Sequence, residues 1–199
     1  MKLGKRHSTL ALVMIAMFAA LTAIGAFIKI PLPIVPFTLQ IVFVFLAGCL
    51  LGSRNGFYSQ LVYIGVGLVG LPVFTQGGGI TYVLQPTFGY LIGFALAAYV
   101  IGIILERVET PTKKHFIGAT ITGLFIIYGI AVPYLYVALN FWLDMSTSWS
   151  HVFVIGFLSS IVADFCLAIS AALLADKLYK VFQSARGVTI SQVERENMI

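Results

Sequence analysis

The sequence predicts an all-α integral membrane protein, a bundle of six transmembrane helices with both termini in the cytoplasm. Two observations carry this. Of 199 residues, 60% are hydrophobic and only 10% charged, and mean hydropathy is +1.02. A soluble domain carries about 25% charged residues, so these charges cannot cover a water-facing surface, although the chain can face lipid. The apolar residues also fall into six runs separated by polar, glycine or proline residues. At about 20 residues per span, the length allows one bundle over 1–180, followed by a short polar cytoplasmic tail over 181–199.

The first span is placed at 8–29. Lys2, Lys5 and Arg6 precede it as they would a signal peptide, but its apolar run, 10–28, is longer than the roughly 7–15 residues of such a segment. Pro31, Pro33 and Pro36 end it, because proline cannot continue a helix. The run Ile30-Pro-Leu-Pro-Ile-Val-Pro-Phe-Thr-Leu-Gln40 then reads as a stiff, extended entry to the second span, 37–53. Gly52-Ser53-Arg54-Asn55-Gly56 separates that from the third span, 57–71, which is short, rich in glycine and closed by Pro72. A polar, glycine-rich loop over 72–87 is long for a helix connection, and such loops are often functional. The fourth span is 88–105, with a charged connector over 106–114. The fifth and sixth spans are 115–140 and 151–176. The tail is expected to be loose, with no function assigned.

Orientation follows from the cations. With the N-terminus inside, Lys2, Lys5, Arg6, Arg54, Arg107, Lys113, Lys114, Lys177, Lys180, Arg186 and Arg195 are cytoplasmic, and of the twelve lysines and arginines only Lys29 lies outside. The net charge of +5 is scattered singly over loop positions, a pattern of membrane orientation rather than of nucleic-acid binding. Trp142 and Trp149 fall at the outer ends of the last two spans, where indoles anchor at the headgroups.

Few residues can carry chemistry. Asp164, in the middle of the sixth span, is the most informative, because a carboxylate at that depth costs about 2.5–3.5 kcal/mol and must face the bundle interior and find a partner. It serves either packing or a ligand cavity. In the 72–87 loop, Gly77, Gly78 and Gly79 permit close backbone approach to a ligand or a moving flap, and Tyr82, Gln85 and Tyr90 bring aromatic and hydrogen-bonding groups. The bland alternative is an ordinary capping loop. No strand precedes the glycines, which argues against a phosphate-binding fingerprint. Ala16 with Ala20, Ala19 with Ala23, and Gly89 with Gly93 form small-residue strips that let another helix approach closely, whether a partner or a neighbour in the bundle. Cys49 and Cys166 read as small hydrophobes buried between helices. His7, His115 and His151 make no metal-ligand spacing, and no ATP-binding or nucleophile motif is present. Neither an enzyme nor a cofactor is indicated.

Taken in order, Ala16-Met-Phe-Ala-Ala-Leu-Thr-Ala23, the proline-rich run through Gln40, Ala47-Gly-Cys-Leu-Leu-Gly52, Pro72-Val-Phe74 and Pro86-Thr-Phe-Gly-Tyr-Leu-Ile-Gly-Phe94 resemble the BioY family over about residues 10–105. These are the biotin-binding S components of bacterial energy-coupling factor (ECF) transporters. The resemblance implies a multi-pass protein of the bacterial cytoplasmic membrane that captures biotin from outside, with a membrane T component and two ABC ATPases as partners. It implies further that the S component topples to release its ligand, and that Ala16 and Ala20, with Ala19 and Ala23, contact the T component. The candidate substrate-binding residues are then Asp164, Tyr82, Gln85, Tyr90, Asn140, Lys29 and Gln40, with Gly77, Gly78 and Gly79 as a lid loop. Two positions depart from the family pattern. Leu167 stands where a ligand-site lysine is usual, and Gln85-Pro86-Thr87 replaces Gly-Pro-Thr. The first raises two expectations: that Lys29 supplies the missing cation, its alternative being to snorkel to the headgroups, or that the ligand is a related acid such as lipoate. The remaining alternatives are a stand-alone proton-coupled transporter and a structural subunit.

Overall fold

The computed structural model describes residues 9–30 and 34–196, with side chains described as far as Val181. Expectations for Lys2, Lys5, Arg6, His7, Pro31 and Pro33, and for the side chains of Arg186 and Arg195, lie outside the described residues.

The fold is all-helical. Helix α1, Thr9–Phe27, leads into a two-residue antiparallel hairpin, β1 at Lys29–Ile30 and β2 at Phe37–Thr38, with Lys29 opposite Thr38. Then come α2, Gln40–Leu51, α3, Ser53–Leu68, a 3-10 turn at Ile80–Leu84, and α4, Phe88–Glu106. Helix α5, Lys113–Val137, ends in a π turn at Ala138–Trp142. The last rod is broken. It comprises α6, Trp149–Phe153, a π turn at Val154–Leu158, and α7, Ile161–Glu196. The helix therefore runs through the segment expected to be a loose tail. Among the described residues, four stretches are long and apolar enough to cross a membrane: Thr9–Phe27, Phe88–Glu106, Lys113–Trp142 and Trp149–Val181.

The second and third predicted spans differ most from expectation. Phe37 and Thr38 pair with the hairpin instead of starting a helix, so α2 has only 12 residues, about 18 Å at 1.5 Å per residue. Ten of the twelve are buried, as expected of a helix apolar on every side. It lies at the centre, packed by α1, α3, α4 and α7. A single residue, Gly52 at φ +82°, links α2 to α3. Helix α3 starts at Ser53, four residues earlier than predicted, because a carboxylate from α4 meets its first turn. Ser53 donates its backbone N–H to Glu106 Oε1 and its hydroxyl to Oε2, both at 2.7 Å. An anion there also suits the helix dipole.

The small-residue strip on α4 is used inside the bundle, since a side chain at Gly93 would meet the Ile127 backbone at 2.9 Å. Gly89 backs onto Tyr134 in the same interface. On α1, Ala19 is buried and Ala23 half-buried, while Ala16 and Ala20 face outward. Cys49 is buried as expected, but Cys166 is exposed. Asp164 faces inward, and two residues on, about 200° around the helix, the chain points out of the bundle.

Candidate functional site

Two irregular segments meet at one end of the bundle and roof a cavity. The hairpin contributes Val35, Pro36, Phe37 and Thr38, and the loop contributes Thr75, Tyr82 and Thr87. Helices supply the floor and walls: Gln40 and Ile41 from α2, Tyr90, Leu91 and Phe94 from α4, Ile127 from α5, and Ser160 and Asp164 from the broken rod. With its open mouth included, the cavity encloses about 570 Å³.

Each polar group in the lining is held by a neighbour. Tyr128, from α5, donates its hydroxyl to Asp164 Oδ2, and among the described residues no hydrogen bond reaches Oδ1. This carboxylate therefore keeps acceptor capacity directed at whatever fills the cavity. Tyr90 donates to the Gly156 carbonyl at 2.5 Å, within the π turn of the broken rod. Three aromatic rings back the acid, with Tyr128 edge-on to Tyr90 at 6.1 Å and to Phe157 at 5.0 Å.

A second chain of hydrogen bonds fixes Gln40. Thr38 donates to its Oε1 at 3.2 Å, its Nε2 donates to the Tyr63 hydroxyl at 2.7 Å, and Tyr63 donates to the Val73 carbonyl at 3.1 Å. Hairpin, central helix and loop are thus tied together through one amide. A third set joins the hydroxyls of Thr75, Tyr82 and Thr87, at 3.0 and 3.2 Å. The remaining surface is aliphatic and aromatic. A few placed polar groups in an apolar wall are the usual make-up of a small-molecule site.

Of the residues singled out from the sequence, the structure brings Asp164, Tyr82, Tyr90 and Gln40 together on this cavity. Three others lie off it. Gln85 is exposed just past the 3-10 turn, and Asn140 turns its amide back onto the Tyr136 carbonyl at 3.0 Å. Lys29 is exposed and donates its ammonium to the Thr75 carbonyl. Gly77 and Gly79 adopt φ of +116° and +106°, and a side chain on Gly78 would overlap the Leu71 carbonyl. The three glycines so form a tight turn docked on the end of α3, away from the cavity lining. Leu167 packs against the core and does not line the cavity.

Sequence reasoning missed Tyr128, Tyr63, Thr38, Thr75, Thr87 and Ser160. A weak signal existed for two of these, since a carboxylate at mid-membrane demands a donor on a facing helix. Tyr128 is a phenol in the middle of the fifth span, and Ser160 lies one turn before Asp164. Among the described residues there is no group of three or more His, Cys, Asp or Glu side chains suited to a metal.

The model of the BioY family matches residues 2–184. A probable biotin transporter BioY of Lysinibacillus sphaericus is 79% identical over 194 residues, 98% of this chain and 99% of that protein. The biotin transporter BioY of Thermotoga maritima is 38% identical over 172 residues, 85% of this chain and 96% of that protein. In three dimensions, the chain resembles the crystal structure of the S-component for biotin from an ECF-type ABC transporter. That likeness has a TM-score of 0.76 at 24% identity and covers 89% of this chain and 95% of the other.

Proposed function

Because this chain belongs to the BioY family, we propose that it is the biotin-binding S component of an ECF-type uptake transporter in a bacterial plasma membrane. One observation carries the assignment of the site: Asp164, half-buried in the bundle and oriented by Tyr128, opens onto a cavity roofed by two irregular segments. A carboxylate acceptor suits the two N–H donors of a ureido ring, and charge-assisted bonds of that kind are the stronger ones. Leu91, Phe94, Ile127 and Phe37 offer the apolar surface that a fused ring and its aliphatic tail require. Lipoate has no N–H donor to match the acid, so the same geometry disfavours it. The expected result is that purified protein binds biotin at least about 100-fold more tightly than lipoate, measured by calorimetry on each ligand. Equal affinity, or no biotin binding, refutes the assignment.

The arrangement of six spans, with both termini inside, is part of the same proposal. Lys29 and Thr75 share the cavity end, whereas the contact between Ser53 and Glu106 brings the α2–α3 junction beside the α4–α5 connector. Arg54, Arg107, Lys113 and Lys114 cluster in chain position around that second junction. Cations gathered at one end mark the cytoplasmic side, and the cavity then opens outward.

The chain has no ATP-binding motif, so inward delivery falls to a T component and two ABC ATPases. Ala16 and Ala20, exposed one turn apart on α1, provide the close approach that a partner helix needs. Replacing both with Trp is expected to leave biotin binding within about twofold and to cut uptake more than about tenfold. Uptake of labelled biotin by cells producing the full transporter, beside binding to the purified variant, checks this.

A further inference from the structure

The cavity has an uneven charge distribution. Asp164 is the one formally charged side chain in its lining, with no lysine, arginine or histidine among the lining residues. A ligand carboxylate drawn to the inner end would lie against that acid without a counter-ion, and two like charges at such range in a poorly solvated site repel strongly. The cation stands at the other end. The ammonium of Lys29 donates to the carbonyl of Thr75, and Lys29 faces Thr38 across the hairpin. Thr75 and Thr38 both line the cavity. Lys29 is thereby fixed just behind the mouth by contact with two lining residues, although it is exposed and off the lining itself. An ammonium has three donors, of which Thr75 takes one.

Resting on the assignment of this cavity to biotin, we infer that Lys29 orients the ligand by holding its acid tail at the mouth. The ring enters toward Asp164, and the carboxyl remains in water. Lys29 is then a specificity-determining residue, the cation that the lining itself lacks. A tail that ends outside the apolar part of the site has room for a substituent. The protein accordingly takes a wider substrate class than the free vitamin: biotin whose carboxyl is joined through an amide to a small amine.

The test compares biotin with its primary amide on the wild-type protein, Lys29→Gln and Lys29→Arg. Glutamine retains a donor for the Thr75 carbonyl but removes the charge, while arginine retains both. The wild type is expected to bind the acid about fivefold more tightly than the amide, the modest preference of a solvated ion pair. Lys29→Gln should bring that ratio close to one by weakening only the acid, and Lys29→Arg should restore it. An unchanged ratio in Lys29→Gln overturns the inference. Equal weakening of both ligands also overturns it, since that marks a purely structural role in holding Thr75. A wild-type protein that rejects the amide by more than about 100-fold shows that the tail is buried, with the same consequence. If the wild type binds neither compound, the biotin assignment itself fails, and the role of Lys29 falls with it.

Discussion

Asp164→Asn is expected to weaken biotin binding by at least about 100-fold while leaving the bundle folded. Asparagine is nearly the same shape, and its amide oxygen can still accept the hydrogen bond that Tyr128 gives to Oδ2. The cavity-facing side changes most. There an acceptor is replaced by an amide nitrogen, which turns donors toward the donors of a ureido ring. Losing a hydrogen bond to a charged group costs about 1.5–3 kcal/mol, and about 2.7 kcal/mol corresponds to 100-fold. Stability should move the other way, because a neutral amide at mid-membrane is less costly than a carboxylate. Calorimetric titration and a thermal unfolding curve in detergent separate the two effects. Wild-type affinity in the asparagine variant would remove Asp164 from the ligand site.

Gly67→Leu should weaken binding by a different route, through a position off the cavity lining. Gly67 lies near the end of α3, where a Cβ would overlap the Phe74 ring, itself only 2% exposed. The Gly67 carbonyl also accepts the Gly79 N–H at 2.8 Å. Phe74 in turn packs on Tyr63 and Tyr82, at ring separations of 5.4 and 4.4 Å. Displacing that ring unseats Thr75 and Tyr82 and breaks the wall that roofs the cavity. Overpacking of this kind costs about 1–3 kcal/mol, so the loop should detach before the bundle unfolds. Binding is expected to fall by more than about 30-fold, with helical circular dichroism unchanged. Protease sensitivity confined to residues 70–87 would locate the defect in the loop.

Much of the fold was legible because hydropathy and proline act over long stretches. Helix α1 ends at Phe27, ahead of the proline run, and the four longest apolar stretches match helices to within a few residues. The hairpin was not legible, because a ladder of two residue pairs has no periodicity to read. Nor was the break in the last rod. Val154–Leu158 is as apolar as its surroundings, and a π turn leaves no compositional mark.

The site divided along the same line. Asp164 declared itself through its cost in lipid, Gln40 and Tyr90 through recognisable motifs, and Tyr82 through its place in the glycine-rich loop. Gln85 and Asn140 were chosen for polarity alone. In helices apolar on all sides nothing in the sequence fixes rotational phase, so whether a polar residue points into or out of a bundle remains undetermined. Tyr128 was overlooked for the converse reason, since a single phenol in a membrane helix resembles ordinary aromatic packing. Lys29 stood out as the only outer cation, but its attachment to Thr75 depends on a loop that begins more than 40 residues later.

The short central helix has a consequence for biogenesis. Helix α2 is about 18 Å long, too short to cross roughly 30 Å of hydrocarbon, and the chain doubles back through Gly52, so that Gly56 packs on Ala47 and Gly48. With the hairpin residues Phe37 and Thr38 ahead of it, α2 completes its crossing only in company with α3, so the two are expected to leave the translocon together as paired short spans. Helix α7 also packs on α2, and it follows every other helix that does so in the chain. Until it arrives, α2 has mainly α1, α3 and α4 to pack on, and a nascent chain stopped before α7 leaves part of its central helix open to lipid.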